Sequence, residues 1–277
     1  MSILQDKNFQ TRTLTGIVFV SVIITCLFLH PYSMALLGAV IAGCCLWEFY
    51  TLTLPASQRF FKLYAWACGL LPIAYLISTR FFSQQFPELF IGVGLFAMFL
   101  IFFLQLYYIS DFPFQHLATG ILGWAYVIAP MSCFLLLAAA HAAPFEPAAV
   151  LLFFVLVWVN DTGAYITGVS IGRTKFFERI SPKKTWEGTL GGVALCMLVA
   201  APYGKFVLHQ SPLYYAGLGL VIGVFSTLGD LIESQLKRSL GIKDSGTILP
   251  GHGGFLDRFD GFLMAMPAAA IYTLMMG

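Results

Sequence analysis

Long apolar runs, broken by short polar stretches, dominate the chain. Nine segments read as candidate membrane spans, near residues 14–30, 32–54, 63–79, 89–108, 117–140, 148–170, 188–208, 213–235 and 261–276. Each approaches the roughly 20 mostly apolar residues that a helix needs to cross the hydrocarbon core. Open sheets would leave backbone groups unsatisfied in lipid, so the predicted class is all-α, a polytopic integral membrane protein. Two polar stretches between the later spans, 171–187 and 236–260, are long enough to carry chemistry.

Composition agrees with the pattern. The 277 residues are 59% hydrophobic and only 10% charged, with a mean hydropathy of +0.84; a soluble domain carries about 25% charged residues. With nine spans and a cytoplasmic N-terminus, thirteen of the 15 Lys and Arg residues fall on the inner face, leaving Arg80 and Lys205 outside. That asymmetry is the positive-inside signature. It puts both long polar loops in the cytoplasm and the C-terminus outside, and in a bacterium the membrane would be the inner one. The net charge of +2 adds little, and no nucleic-acid partner is expected. No small-residue cleavage site follows the first span, and Pro31-Tyr32 leads straight into the second, so the first helix is expected to be retained. The six cysteines (Cys26, Cys44, Cys45, Cys68, Cys133, Cys196) lie in apolar segments without a CxxC pair, which supports neither a disulfide framework nor a zinc site.

Charge is distributed unevenly. Ten charged residues lie in 1–160 and eighteen in 161–260. One integrated membrane domain is expected, with residues 1–147 mainly helical scaffold and 148–277 the catalytic half. Gly168/Gly172, Gly188/Gly192 and Gly219/Gly223 give small-xxx-small spacing, which reads as close helix packing.

Several constellations point to chemistry. Asn160 and Asp161 interrupt an apolar helix, and an ionisable residue within a span usually marks function, although a helix-helix hydrogen bond or a position near the helix end would also account for them. Asp230, Glu233, Ser234 and Lys237 fall on one helical face at i, i+3, i+4 and i+7; an ion pair between Glu233 and Lys237 explains only part of this. Asp257 and Asp260 open the last span, where the helix dipole also favours acids. Together with Asp244 they offer the oxygen ligands that magnesium takes alongside substrate phosphates. Gly253 and Gly254 would let backbone N–H groups approach phosphate oxygens. His252 reads equally as a phosphate contact, a general acid or a loop hydrogen-bonder. Arg173, Lys175 and Arg179 fit ordinary inner-face charge or attraction to anionic lipid. Ser181-Pro182-Lys183-Lys184-Thr185 fits that less well, because a proline there fixes two adjacent lysines at a predicted helix start.

At these residues the chain resembles the phosphatidate cytidylyltransferases, membrane enzymes that make CDP-diacylglycerol. The resemblance rests on Ser234, Lys237-Arg238, Lys243-Asp244, Pro250, His252-Gly253-Gly254 and Asp257-Arg258-Phe259-Asp260. Asn160-Asp161-Thr162 and Ser181 to Thr185 look like further motifs of that family, so the likeness covers about 158–262. It implies condensation of phosphatidate with CTP, releasing pyrophosphate, with Mg²⁺ required and a second cation left open. It implies metal ligation first by Asp230 and Asp257, then by Asp161, Glu233 and Asp260. Lys237, Arg238, Lys243, Asp244, His252 and Arg258 would be catalytic, and Asn160, Ser181, Lys183, Lys184, Ser234, Gly253 and Gly254 would bind substrate. Lys183, Lys184, Lys237, Arg238 and Arg258 would form the clamp on the phosphates. The family resemblance also implies a homodimer. A transferase acting on a prenol would have to deprotonate its substrate and would not be expected to carry the full string. A cation-coupled transporter would show repeats and interrupted helices in matching halves, and neither is visible.

Overall fold

The computed structural model describes residues 7–82, 88–107, 113–246 and 253–276. The described chain is almost entirely helical and divides into two compact units. Residues 1–139 and 244–257 form the first; residues 140–243 and 258–277 form the second. The 244–257 stretch, which lies in the catalytic half by sequence, therefore groups with the first half.

In the first unit the helices are α1 (Lys7–Leu29), α2 (Pro31–Thr53), α3 (Arg59–Arg80), α4 (Glu88–Phe99), α5 (Ile101–Tyr107), α6 (Pro113–Gly123) and α7 (Ala129–Ala140). α2 starts where its sequence directs. Pro31 occupies the first turn, His30 Nδ1 accepts the Tyr32 N–H, and Ser33 Oγ accepts the His30 N–H at 3.1 Å. A widened π-helical turn, Trp124–Ile128, joins α6 to α7. It lies just ahead of Pro130, whose missing N–H withdraws a helical donor. Aromatic side chains tie the helices together: the buried Tyr50 Oη donates to the Gly120 carbonyl at 2.6 Å, and the half-buried Trp66 and Trp124 donate to the carbonyls of Gly43 and Ala65 at 2.8 Å.

The second unit contains α8 (Pro147–Ile171), an antiparallel ribbon of β1 (Lys175–Phe177) and β2 (Ser181–Thr185), then α9 (Trp186–Phe206), α10 (Pro212–Ser239) and α11 (Leu256–Met276), whose first two residues cluster with the first unit. α9 packs against both α8 and α10. The glycine spacing has the packing role expected of it. A Cβ on Gly192 would lie 2.7 Å from the Asn160 carbonyl oxygen, and one on Gly219 would lie 2.7 Å from that of Cys196. Only glycine lets the backbones come so close.

Seven helices among the described residues are long and apolar enough to cross a membrane: Pro31–Thr53, Ala56–Arg80, Phe114–Ala140, Pro147–Ile171, Trp186–Phe206, Pro212–Ser239 and Leu256–Met276. Shorter apolar helical stretches, Thr13–Leu29 and Ile91–Leu104, fall at the first and fourth predicted spans. The all-α membrane class holds, with one local correction. Pro182, Lys183 and Lys184 do not start a helix but lie in β2, opposite β1, with Lys175 facing Thr185 and Phe177 facing Ser181. The helix starts one residue after Thr185, whose Oγ1 accepts the Gly188 N–H at 3.1 Å. Glu187 explains why the ribbon forms: its carboxylate takes the backbone N–H groups of Arg173 and Thr174 at 3.1 Å, folding the segment back toward the start of α9.

Candidate active site

The polar groups of the second unit gather from α8, β2, α10 and α11. Asn160, 1% exposed on α8, donates through Nδ2 to Ser226 Oγ at 2.8 Å and Thr227 Oγ1 at 2.9 Å on α10. The amide that interrupts the apolar run is thus a buried tie between two helices. Its Oδ1 is buried and accepts no hydrogen bond among the described residues.

Asp230 is gripped at both oxygens. Lys184 Nζ lies 2.5 Å from Oδ2, and Ser234 Oγ donates to Oδ1 at 3.2 Å. Lys184 also donates to the Thr227 carbonyl at 3.4 Å, which fixes β2 against α10. One turn along α10, the fully buried Glu233 carboxylate is paired with Lys237. The i, i+4 pair foreseen from sequence therefore forms, and Lys184 accounts for the acid it left unexplained.

Asp161 lies within electrostatic reach of Asp230, Lys184 and Arg258, and Asp260 within reach of Asp230, Glu233 and Asp161. The Asp260 carboxylate also accepts the Gly261 N–H at 2.6 Å. Among the described residues, the carboxylates of Asp161, Asp230, Glu233 and Asp260 thus lie with the cations Lys184, Lys237 and Arg258. Acids clustered in a low-dielectric setting favour recruitment of a cation.

The donor chemistry suits magnesium. All the candidate ligands are carboxylate oxygens, and this ion typically takes one or two of them together with phosphates and water. Among the described residues, no group of three or more His, Cys, Asp or Glu side chains is placed to hold an ion by itself. A magnesium site completed by substrate does not need such a group.

The first unit holds the other part of the signature. Asp257 Oδ2 accepts the N–H groups of Ser245 and Gly254, both at 2.9 Å. These bonds tie Ser245 and Gly254 to the start of α11. Gly253 has a φ of +83°, which a side chain would strain. The Gly254 N–H goes to Asp257, and its missing Cβ makes room for Glu48, whose Oε1 would lie 1.5 Å from such an atom.

Glu48 was not singled out from the sequence. It sits on α2, 3% exposed, and accepts Ser245 Oγ–H at 2.8 Å and the Leu256 N–H at 2.9 Å. The available signal was a lone carboxylate inside a predicted span.

The remaining candidates are more peripheral. Lys183 is exposed on β2, and Ser181 is half-buried opposite Phe177. Arg238, Lys243 and Asp244 are exposed, with Arg238 donating to the Ile242 carbonyl at 3.5 Å. His252, with Pro250, lies outside the described residues.

Sequence comparison adds an independent line. A sequence model of the cytidylyltransferase family matches residues 10–276. The chain is 46% identical over 126 residues to a phosphatidate cytidylyltransferase of Staphylococcus epidermidis, a match covering 45% of this chain and 48% of that protein. It is 44% identical over 126 residues to the one of Staphylococcus aureus, with the same coverage. It is 48% identical over 116 residues to the one of Bacillus subtilis, covering 41% of this chain and 42% of the relative. The chain thus spans about half the length of the curated relatives it matches. A family match running through nearly the whole chain makes this protein a member of the cytidylyltransferase family.

Proposed function

We propose that this protein transfers the cytidylyl group of CTP to phosphatidate, giving CDP-diacylglycerol and pyrophosphate for phospholipid synthesis. The observation that carries the reading is the carboxylate and cation cluster of the second unit, built on the residues of the family signature. The activity for which three relatives are named supplies the substrate class.

In this reaction a phosphatidate oxygen attacks the α-phosphorus of CTP, and the bond from that phosphorus to the oxygen bridging to the β-phosphate breaks. Pyrophosphate leaves with the electron pair. A phosphate monoester, with a second pKa near 6, is already anionic at neutral pH, so no strong base is required. The barrier lies in bringing two polyanions together. Magnesium held by Asp161, Asp230 and Asp260 would neutralise charge on the phosphates; metal ligation by Asp257 is proposed on the family resemblance alone.

Lys184 and Lys237 are held by Asp230 and Glu233. That pairing keeps two cations ready beside the acids without leaving them uncompensated. The apolar spans let the acyl chains of a lipid substrate stay in the bilayer while its headgroup meets the polar cluster. The positive-inside asymmetry supports a site on the cytoplasmic face of a bacterial inner membrane, and the family resemblance supports a homodimer.

The test is direct. Purified protein in phosphatidate vesicles with CTP and Mg²⁺ should yield CDP-diacylglycerol, identified by mass, with one pyrophosphate per product. Folded protein that releases no pyrophosphate under any metal condition would overturn the reading.

A further inference from the structure

In the first unit a chain of hydrogen bonds runs from α2 to the start of α11. Glu48 Oε1 accepts the Ser245 hydroxyl at 2.8 Å, and Oε2 accepts the Leu256 N–H at 2.9 Å. Ser245 Oγ in turn accepts the Asp257 N–H at 3.3 Å, while the Ser245 N–H donates to Asp257 Oδ2 at 2.9 Å. Ser245 thus links the two carboxylates, and it is only 3% exposed. The backbone is shaped around Glu48: a Cβ on Gly246 would lie 2.1 Å from Oε1, and one on Gly254 would lie 1.5 Å from it. A carboxylate is costly to bury unless it is hydrogen-bonded, and here both its oxygens accept donors from the signature segment. An ordinary helix-capping side chain would come from the neighbouring sequence; this one lies 208 residues away.

We infer that Glu48 is a positioning residue for the transferase site: through Ser245 and the Leu256 N–H it fixes Ser245 against the start of α11 and so sets the direction of the Asp257 carboxylate. The inference rests on the proposed activity, because it assumes that the signature segment carries the chemistry. Glutamine at position 48 puts an NH2 donor where one of the two accepting oxygens stands, so it cannot accept the Ser245 hydroxyl and the Leu256 N–H each at its present position. Aspartate keeps the charge but is one methylene short.

The test compares the full-length parent with Glu48→Gln, Glu48→Asp and Gly254→Ala in lipid vesicles, with Glu178→Gln on the exposed ribbon turn as control. Hydrogen exchange reads the amides of 245–257, and steady-state turnover reads kcat and the KM for CTP. Exchange at the Ser245, Gly254, Leu256 and Asp257 amides should quicken at least about tenfold in the Gln and Ala variants while peptides of α8 and α9 stay protected. kcat should fall by about ten- to a hundredfold with the KM for CTP within about threefold, and Asp should recover part of both.

Unchanged exchange at these four amides would overturn the inference. So would faster exchange with parental kcat, which would make Glu48 a purely structural residue. A parent that exchanges normally but makes no product would refute the proposed activity instead, and the exchange result would still decide whether Glu48 holds the segment.

Discussion

Replacing Asp257 with Asn separates two roles for this carboxylate. Asp257 Oδ2 accepts two backbone N–H groups at 2.9 Å, from Ser245 and Gly254. A hydrogen bond to a charged group is worth about 1.5–3 kcal/mol and a neutral one about 0.5–1.5 kcal/mol. Asn can accept the same two donors through its amide oxygen, so Asp257→Asn should cost about 2 kcal/mol of stability. At about 2–4 °C per kcal/mol this lowers Tm by roughly 4–8 °C. Well below the transition such a loss barely changes the folded fraction, so a residue that only holds the segment would leave turnover nearly intact. A metal ligand would not. Losing the charge that holds the ion should lower kcat at least about a hundredfold, equal to about 2.7 kcal/mol of transition-state stabilisation. The assay measures turnover at saturating CTP and Mg²⁺, about 20 °C below the Tm of the variant itself, with Asp257→Ala as the case that loses both hydrogen bonds. We expect a modest Tm shift with a large kcat loss for Asn. A lowered Tm with kcat within about threefold of the parent would refute ligation by Asp257.

Three further outcomes are expected. Lys184→Met and Asp230→Asn should show a stability coupling of only about 0.5–1 kcal/mol, fading with salt, because the pair is 23% and 36% exposed. Each should nevertheless lower turnover more than tenfold, so a pair that affects stability but not turnover would contradict its place in the site. Asn160→Ala removes two interhelical hydrogen bonds, each worth about 0.6 kcal/mol in membrane proteins, and leaves a small void; unfolding in detergent should show a loss of about 1–3 kcal/mol. Gly192→Ala should cost about 1–3 kcal/mol by forcing backbones apart, whereas Gly94→Ala, with nothing within 4 Å of the new methyl, should be neutral or stabilising in the same assay.

The membrane helices were legible because hydropathy is local. Runs of about twenty apolar residues announce themselves, and the glycine pairs at Gly188/Gly192 and Gly219/Gly223 announce close packing. The face of Asp230, Glu233, Ser234 and Lys237 was equally readable from helical periodicity. What the sequence concealed depends on contacts between distant residues. Lys184 reaches Asp230 across 46 positions, and Glu48 reaches Ser245 across 197; no local pattern pairs them. The ribbon was hidden for a related reason. Ser181-Pro182-Lys183-Lys184-Thr185 has no strand-like alternation of apolar residues, and it is held by the Glu187 carboxylate on the following helix. Glu48 is hard to see in the sequence because the apolar first half reads as scaffold, although a single acid inside a span is itself a signal.

The most direct measurement follows the α-phosphate of CTP. Protein in phosphatidate vesicles receives Mg²⁺ and CTP labelled either at the α- or at the γ-phosphate, and lipid and water phases are then separated. Cytidylyl transfer puts the α-label in the lipid phase, the γ-label in soluble pyrophosphate, and loses both signals when EDTA removes the metal. Lipid that gains the γ-label, or gains neither label while the protein remains folded, would contradict cytidylyl transfer to phosphatidate.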